Sequence, residues 1–396
     1  MDFRREAAAL MRRNRRTSHG HTFTVPSGGT YPHQWLWDSC FHAIILSHLE
    51  PDMAKAELRA LFARQLPSGM VPHMIFWRKA VWPPYTYGWG LKGTSSITQP
   101  PMMAYAAWQI HRLSPDRAFL EEIYPQLFAH YKYMVDERDP VYHHLAGIIN
   151  PDESGEDNSP RFDAPMHVGP DINMYMHVWK RQALLRANRL CNFEAELCMS
   201  KTFWVKDVPF NTILVKNLER FGHIAHLLGH HEGERFAKEH IDLIRGAMRE
   251  RLFADGVYWS AMGHDYVPLR VATWAHFAPL FAGLYTREEA EAVVKNHFYN
   301  ESTFRSPFGI RTTSKQEPAY RPKRFWRGPI WMAPHWFMYK GLSAYGFEKE
   351  AAWIRERSRT LIEANGFREY FNPETGEGYG ANNFTWGALI LDMEGE

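Results

Sequence analysis

Cysteine is scarce in this 396-residue chain, with Cys40, Cys191 and Cys198 its only three. There is no CxxC pair and no even set, which excludes a disulfide framework and the commoner zinc arrangements and fits a reducing, cytoplasmic compartment. An excess of charge of either sign is also lacking. The 46 basic and 44 acidic residues leave a formal charge of +2, so the chain has no electrostatic footprint for nucleic acid or an anionic membrane. A neutral or small polar partner fits better, with assembly into a homo-oligomer left open. The N-terminal MDFRREAAALMRRNRR holds an apolar stretch of only five residues between arginines. That excludes a signal-peptide core or a membrane span there, and the segment reads as an amphipathic surface helix. The 21 histidines invite a metal, yet no HExxH occurs, so no metal and no other cofactor is expected. Low-complexity runs and inter-domain linkers are missing as well, which points to one domain spanning 1–396.

Aromatic residues are what the chain has in abundance: 15 Trp, 18 Tyr and 25 Phe, many beside Gly, Pro and polar residues, where pockets are made. Apolar residues recur at helical spacing almost throughout, and period-2 alternation is short and rare, so the fold class is all-α. The periodicity predicts helices over 38–48, 52–65, 98–112, 116–136, 171–192, 210–229, 233–253, 272–284, 287–298, 330–344, 348–364 and 383–392. Ser114-Pro115-Asp116 and Thr286 supply start signals, Gly346 and Gly366 stops. Taken in order these make six consecutive hairpins, which can stack as an open solenoid or close into an (α/α)6 barrel. Closure is favoured, because no motif recurs at a fixed period and the Trp/Gly/Pro/carboxylate clusters fall between helices, as if lining one mouth. The stretch 76–97, with two prolines, three glycines and six aromatics, reads as a lid or substrate loop.

Four clusters carry candidate chemistry. Tyr31-Pro32-His33-Gln34-Trp35-Leu36-Trp37-Asp38 sets two tryptophans beside a carboxylate, and a sugar offers an apolar face to the rings and hydroxyls to the acid. Asp38 as the N-cap of the following helix is the structural alternative. Asn150-Pro151-Asp152-Glu153-Ser154-Gly155-Glu156-Asp157 crowds four acids into six positions. Crowding raises carboxyl pKa values, as a general acid for a glycosidic oxygen requires, whereas the spacing is wrong for a calcium loop. Phe325-Trp326-Arg327-Gly328-Pro329-Ile330-Trp331 joins a Gly-Pro turn to two tryptophans and a guanidinium, suited to a substrate group or to a structural salt bridge. Phe367-Arg368-Glu369-Tyr370-Phe371 places Glu369 among rings.

The segments ESGxDNSP, (F)WRGPxW and EYxxPxTGxGxGxxxFxW, at 153–160, 325–331 and 369–386, resemble the signature of glycoside hydrolase family 63, and most closely its short bacterial members acting on mannosylglycerate or glucosylglycerate. The resemblance spans nearly the whole chain. It implies an (α/α)6 barrel and an inverting, metal-independent mechanism in which Asp157 is the general acid and Glu369 the general base. It also places contacts to the bound sugar at Trp35, Trp37, Asp38, Gln99, Trp326 and Trp331; Tyr31, Gly155 and Arg327 in the clusters above and Tyr87 in the 76–97 loop are further candidates. Two positions depart from the pattern: Glu156 stands where a bulky apolar residue is usual and brings a further carboxylate beside Asp157, and Phe325 replaces a tyrosine. A glycerate carboxylate would want a cation or hydroxyls, for which Arg161, Lys323, Arg324, Arg327 and Tyr87 are the candidates. The competing readings are an α-glucosidase or trehalase-like hydrolase of a neutral oligosaccharide, a histidine-dependent sugar 2-epimerase, and a non-catalytic glycan-binding protein.

Overall fold

The computed structural model describes residues 1–77, 88–90 and 93–394. Most of the 76–97 stretch, Tyr87 included, therefore lies outside the described residues. Fourteen α-helices follow along the described chain: α1 Phe3–Asn14, α2 Leu36–Ser47, α3 Pro51–Phe62, α4 Met103–Leu113, α5 Arg117–Asp136, α6 Met174–Leu190, α7 Ala195–Lys201, α8 Val208–Leu228, α9 His231–Arg251, α10 Ala278–Phe281, α11 Arg287–Val293, α12 Met332–Ala344, α13 Glu348–Asn365 and α14 Ile390–Glu394. Strands are short; most form local hairpins, whereas Gln34–Trp35 pairs with Met74–Ile75 and Val205–Lys206 with Ala261–Met262 across long stretches of chain.

Burial sorts the helices into two layers. All twelve residues of α2 and eleven of the thirteen in α12 are buried, the mark of helices surrounded on every side. α2, α4, α8, α10, α12 and the turn Thr385–Leu389 leading into α14 each pack on the next, and the last returns to α2, closing a ring. Outside it lie α3 on α2, α5 and α9 on α8, and α13 on α12. α11 and the π-helical turn Val294–Phe298 that continues it bridge α9 and α13, through Arg249 on Glu289 at 2.6 Å and Phe298 against Trp353.

The outer layer is completed by α1, which packs Phe3, Ala7, Leu10 and Met11 against the C-terminal turn. The N-terminal segment is thus amphipathic as expected, but it is the twelfth wall of the ring instead of an appendage. The pairing shifts accordingly: 208–228 hairpins with 231–251 and 332–344 with 348–365, while α6, expected in the first of these pairs, stands outside the ring. Only His177, Leu185 and Asn188 of α6 are buried, and Tyr175 and Trp179 are exposed. Its Leu185 joins a second apolar cluster with Phe76, Trp89, Ile149, Cys191 and Cys198, over the end of the ring. Helical periodicity shows which face is covered but not by which neighbour, and that is how the pairing slipped. The capping signals hold: Thr286 and Glu289 form a reciprocal capping box, and Asp116 accepts from the Phe119 N–H at 3.0 Å.

The interior is tied by buried ion pairs. Arg161 donates to Glu156 through Nη1 and Nη2, at 2.7 and 2.8 Å, and to Asp207 through Nε at 2.8 Å. Asp207 in turn accepts from Ser260 Oγ and caps α8. At the other end of the ring, Asp392 accepts from Gln109, Trp336 and Lys340, each at 2.8 Å. Removing one member of such a network strands the others in a medium that cannot solvate them. Arg161→Met is expected to lower the unfolding free energy by about 3–5 kcal/mol, read from urea denaturation.

Candidate active site

The loop 150–163 alternates the direction of its acids. After one 3-10 turn, Pro151–Ser154, Gly155 adopts a left-handed conformation with φ +73°. A Cβ on Gly155 would stand 2.1 Å from the Trp37 ring, so only glycine lets the loop lie on that indole. Glu153 turns inward to Arg138 and accepts from the Thr98 and Ile149 N–H groups at 3.1 and 2.7 Å. Glu156 turns the same way, onto Arg161 and Trp274 Nε1. The further carboxylate that Glu156 brings beside Asp157 is therefore directed away from it, onto a buried guanidinium. Asp157 faces a cavity instead. Burial pushes its carboxyl up to about 6, with Arg181 opposing and Asp152 reinforcing the rise.

Glu369 sits on the hairpin Arg368–Phe371/Gly378–Asn382. Tyr31 donates to its Oε1 at 2.5 Å and the Ala381 N–H to its Oε2 at 2.7 Å. Even with both donors, burial raises the carboxyl to about 7. Gly380 has φ +69°, and a Cβ there would lie 2.3 Å from Glu369 Oε2. Asp38 lies inside the first turn of α2 and is not its cap, that position being Trp35. It accepts from Trp386 Nε1 at 2.7 Å, and burial lifts it to about 6.

These distant segments are stitched together by hydrogen bonds. The Trp326 N–H donates to Asn158 Oδ1 at 2.9 Å, the Trp37 N–H to Gln99 Oε1 at 3.3 Å, and Ile330 pairs with Phe371. Trp326 and Trp331 stack at 4.0 Å, and Trp37 meets Trp386 edge-on at 5.0 Å. The result is an inner cavity of about 110 Å³ lined by Tyr31, Trp35, Trp37, Asp38, Gln99, Gly155, Asp157, Trp326, Trp331 and Glu369. An outer cavity of about 500 Å³ shares Tyr31, Trp35, His73, Asp152 and Asp157 with it and adds His33, Trp89, Arg181 and Gln182. Burial holds His73 down to about 4. Among the described residues, no three His, Cys, Asp or Glu side chains converge to hold a metal ion.

Rings around buried acids, opening onto a second cavity, suit a glycoside. Residues 31–387 match the family model described as the mannosylglycerate hydrolase MGH1-like glycoside hydrolase domain. The chain belongs to that family. The mannosylglycerate hydrolase of Thermus thermophilus is 31% identical, the match covering 97% of this chain and 98% of that one. The glucosylglycerate hydrolase of Mycolicibacterium hassiacum is 26% identical over 94% of each. A crystal structure of a family 63 mannosylglycerate hydrolase from Thermus thermophilus, in complex with Tris and D-glycerate, superposes with a TM-score of 0.90 at 31% identity, covering 99% of both chains. This chain is accordingly a glycoside hydrolase, in line with the family 63 resemblance of its motifs.

Of the site residues expected from the sequence of this hydrolase, ten line the inner cavity, and Tyr87 lies outside the described residues. Arg327 and Arg161 are corrections. Arg327 is fully buried and spends both terminal nitrogens on Asp163, while Arg161 is locked between Glu156 and Asp207, so neither reaches a cavity. Lys323 is exposed beside the Tyr379 ring, and Arg324 neighbours Asp163 and Arg327; neither lines either cavity. Sequence reasoning missed Arg181, His73 and Trp386. Trp386 lay within the quoted FxW motif, but Arg181 is one arginine on an ordinary helical run, with nothing in its neighbourhood to single it out.

Two outcomes follow. Gly380→Ala forces a strained left-handed residue and displaces Glu369, so activity should fall at least tenfold with the helical circular dichroism unchanged. Tyr31→Phe removes a donor from the Glu369 carboxylate, so its pKa should rise above about 7, observed as an upward displacement of the labelled carboxyl titration by NMR.

Proposed function

We propose that this hydrolase cleaves glucosylglycerate or mannosylglycerate to the free sugar and glycerate with inversion, Asp157 acting as general acid and Glu369 as general base. The carrying observation is positional. Asp157 stands in the wall common to both cavities, whereas Glu369 lines the inner one alone. A sugar in the inner cavity, stacked among Trp37, Trp326 and Trp331, with glycerate in the outer one, sets the bond to be broken at Asp157. Glu369 is then left on the sugar side, where an attacking water belongs.

The Asp157 proton passes to the glycosidic oxygen as the C–O bond breaks. Water attacks the anomeric carbon from the opposite face and yields its proton to Glu369. Neither step requires a metal. Burial favours an acid that still carries its proton near neutrality. The outer cavity offers the glycerate carboxylate the guanidinium of Arg181, the only Lys or Arg among the described residues lining either cavity. That the relatives are named for glycosylglycerates and that one binds glycerate support this substrate class. The closed ring of six inner and six outer helices reads as an (α/α)6 barrel forming one catalytic domain. The three cysteines form no disulfide, in keeping with a cytoplasmic location.

Asp157→Asn and Glu369→Gln should each reduce kcat on the preferred glycosylglycerate by about 10²–10⁴. Proton NMR of the first-formed sugar should show the anomer opposite to the substrate; retention would refute inversion, and near-full activity in either variant would remove that residue from its role.

A further inference from the structure

Arg181 projects from α6 and forks, Nη2 to Asp152 Oδ1 and Nη1 to Asp157 Oδ2. It lines the outer cavity only, while both carboxylates it holds line both cavities. The groups facing Asp157 come from several elements: Asp152 from its own loop, Tyr31 from the segment before α2, Asp38 from α2, Glu369 from the C-terminal hairpin and Arg181 from α6. His73 also shares the wall and is neutral near pH 7. All the other side chains are acids or neutral, so among them the guanidinium is the one positive charge favouring the ionised form of Asp157.

That placement conflicts with the role of a general acid. A carboxyl bonded to a guanidinium resists protonation, whereas no cation is among the groups acting on Glu369. The productive state has the proton on Asp157 and none on Glu369. Something must loosen Arg181 before the bond can be cut, and the outer cavity is where the loosening agent would sit.

We propose that Arg181 is a substrate-operated clamp on the general acid: the anionic group of the leaving portion draws the guanidinium away from Asp157 and frees that carboxyl to take up the proton it delivers. The inference rests on the proposed hydrolysis of a glycosylglycerate. Asp152 keeps its arm of the fork, so Arg181 pivots between two carboxylates and stays in the wall. The proton comes from solvent in the outer cavity and leaves on the glycerate hydroxyl, and Arg181 returns to Asp157 as glycerate departs. Arg181 is thus a positioning residue, and discrimination against uncharged leaving groups appears in kcat as well as in KM.

The test compares the preferred glycosylglycerate with the matched glycosylglycerol, which has the same bond and no carboxylate, using wild type, Arg181→Met and Asp152→Asn. Wild type should turn over the glycerol compound on the order of tenfold more slowly at saturation, the loss corresponding to about one pKa unit at Asp157. In Arg181→Met, KM for the glycerate compound should rise. With the glycerol compound, the alkaline limb of kcat/KM should move up by on the order of 1 pH unit, because removing the cation raises the pKa of the acid. Asp152→Asn removes a neighbouring negative charge and leaves Arg181 wholly to Asp157, so its limb should move down, an independent check should Arg181→Met fold poorly. Equal wild-type kcat on the two compounds, or an alkaline limb that stays put in both variants, would overturn the clamp while leaving the glycosylglycerate reading intact. A wild type that hydrolyses neither glycosylglycerate would overturn that reading first.

Discussion

The two-sided grip of Arg161 on Glu156 and Asp207 is the interaction on which the site depends. Asp157 must be held in a desolvated wall, and a loop rich in acids would ordinarily swing out to water. Two buried guanidiniums prevent this by taking the neighbouring acids: Arg138 draws Glu153 inward and Arg161 draws Glu156. Gly155, in its left-handed turn against Trp37, lets the chain reverse direction between them. With its neighbours fixed, Asp157 has one direction left, toward the cavity. Such pairs owe little of their value to net stability, because desolvating the partners offsets most of the attraction. Their contribution is orientation.

The same logic extends around the pocket. Asp38, Asp157 and Glu369 are each raised above the ordinary carboxyl range, and in each case burial is the largest cause. The tryptophans that exclude water to produce this effect are also the surfaces on which the proposed sugar ring would stack, so one set of side chains would set both acidity and fit. Each wall comes from a different part of the chain, and the Asn158 and Gln99 oxygens accepting from backbone amides, with Tyr31 donating to Glu369, hold the walls in register. Rings alone would permit sliding; these directional bonds do not.

Much of this was legible in the sequence. Helical periodicity located nearly every helix, because an inner helix such as α2 and an amphipathic one such as α13 leave different apolar patterns. The pairing was not legible, since hairpin order assumes that consecutive helices meet, and α6 departs from the ring. The inner cavity was readable because its residues sit in compact Trp/Gly/carboxylate motifs. The cations were not. Arg161 and Arg327 lie in those motifs yet are buried in ion pairs, whereas Arg181, outside every motif, faces the cavity. Guanidinium groups sit at the end of long side chains, so position in sequence says little about where their charge arrives. Glu156 is likewise a further acid beside Asp157 in sequence, but its carboxylate is taken by Arg161.

The two ends of the described chain are sewn together. Asn14 donates to the Asn383 carbonyl at 2.8 Å, the Thr385 N–H to the Pro26 carbonyl at 3.0 Å, and Tyr31 to Glu369. Because the first and last helical segments are neighbours, the ring has no wall that can be completed early. During synthesis the chain must leave the ribosome as far as Thr385–Leu389 before α1 and α2 meet the segment that closes them, and until then their faces toward that segment have no final partner. Assembly of the pocket is therefore a long-range event, and the enzyme acquires its chemistry only once the segment carrying Glu369 and Trp386 has met the one carrying Tyr31 and Trp37.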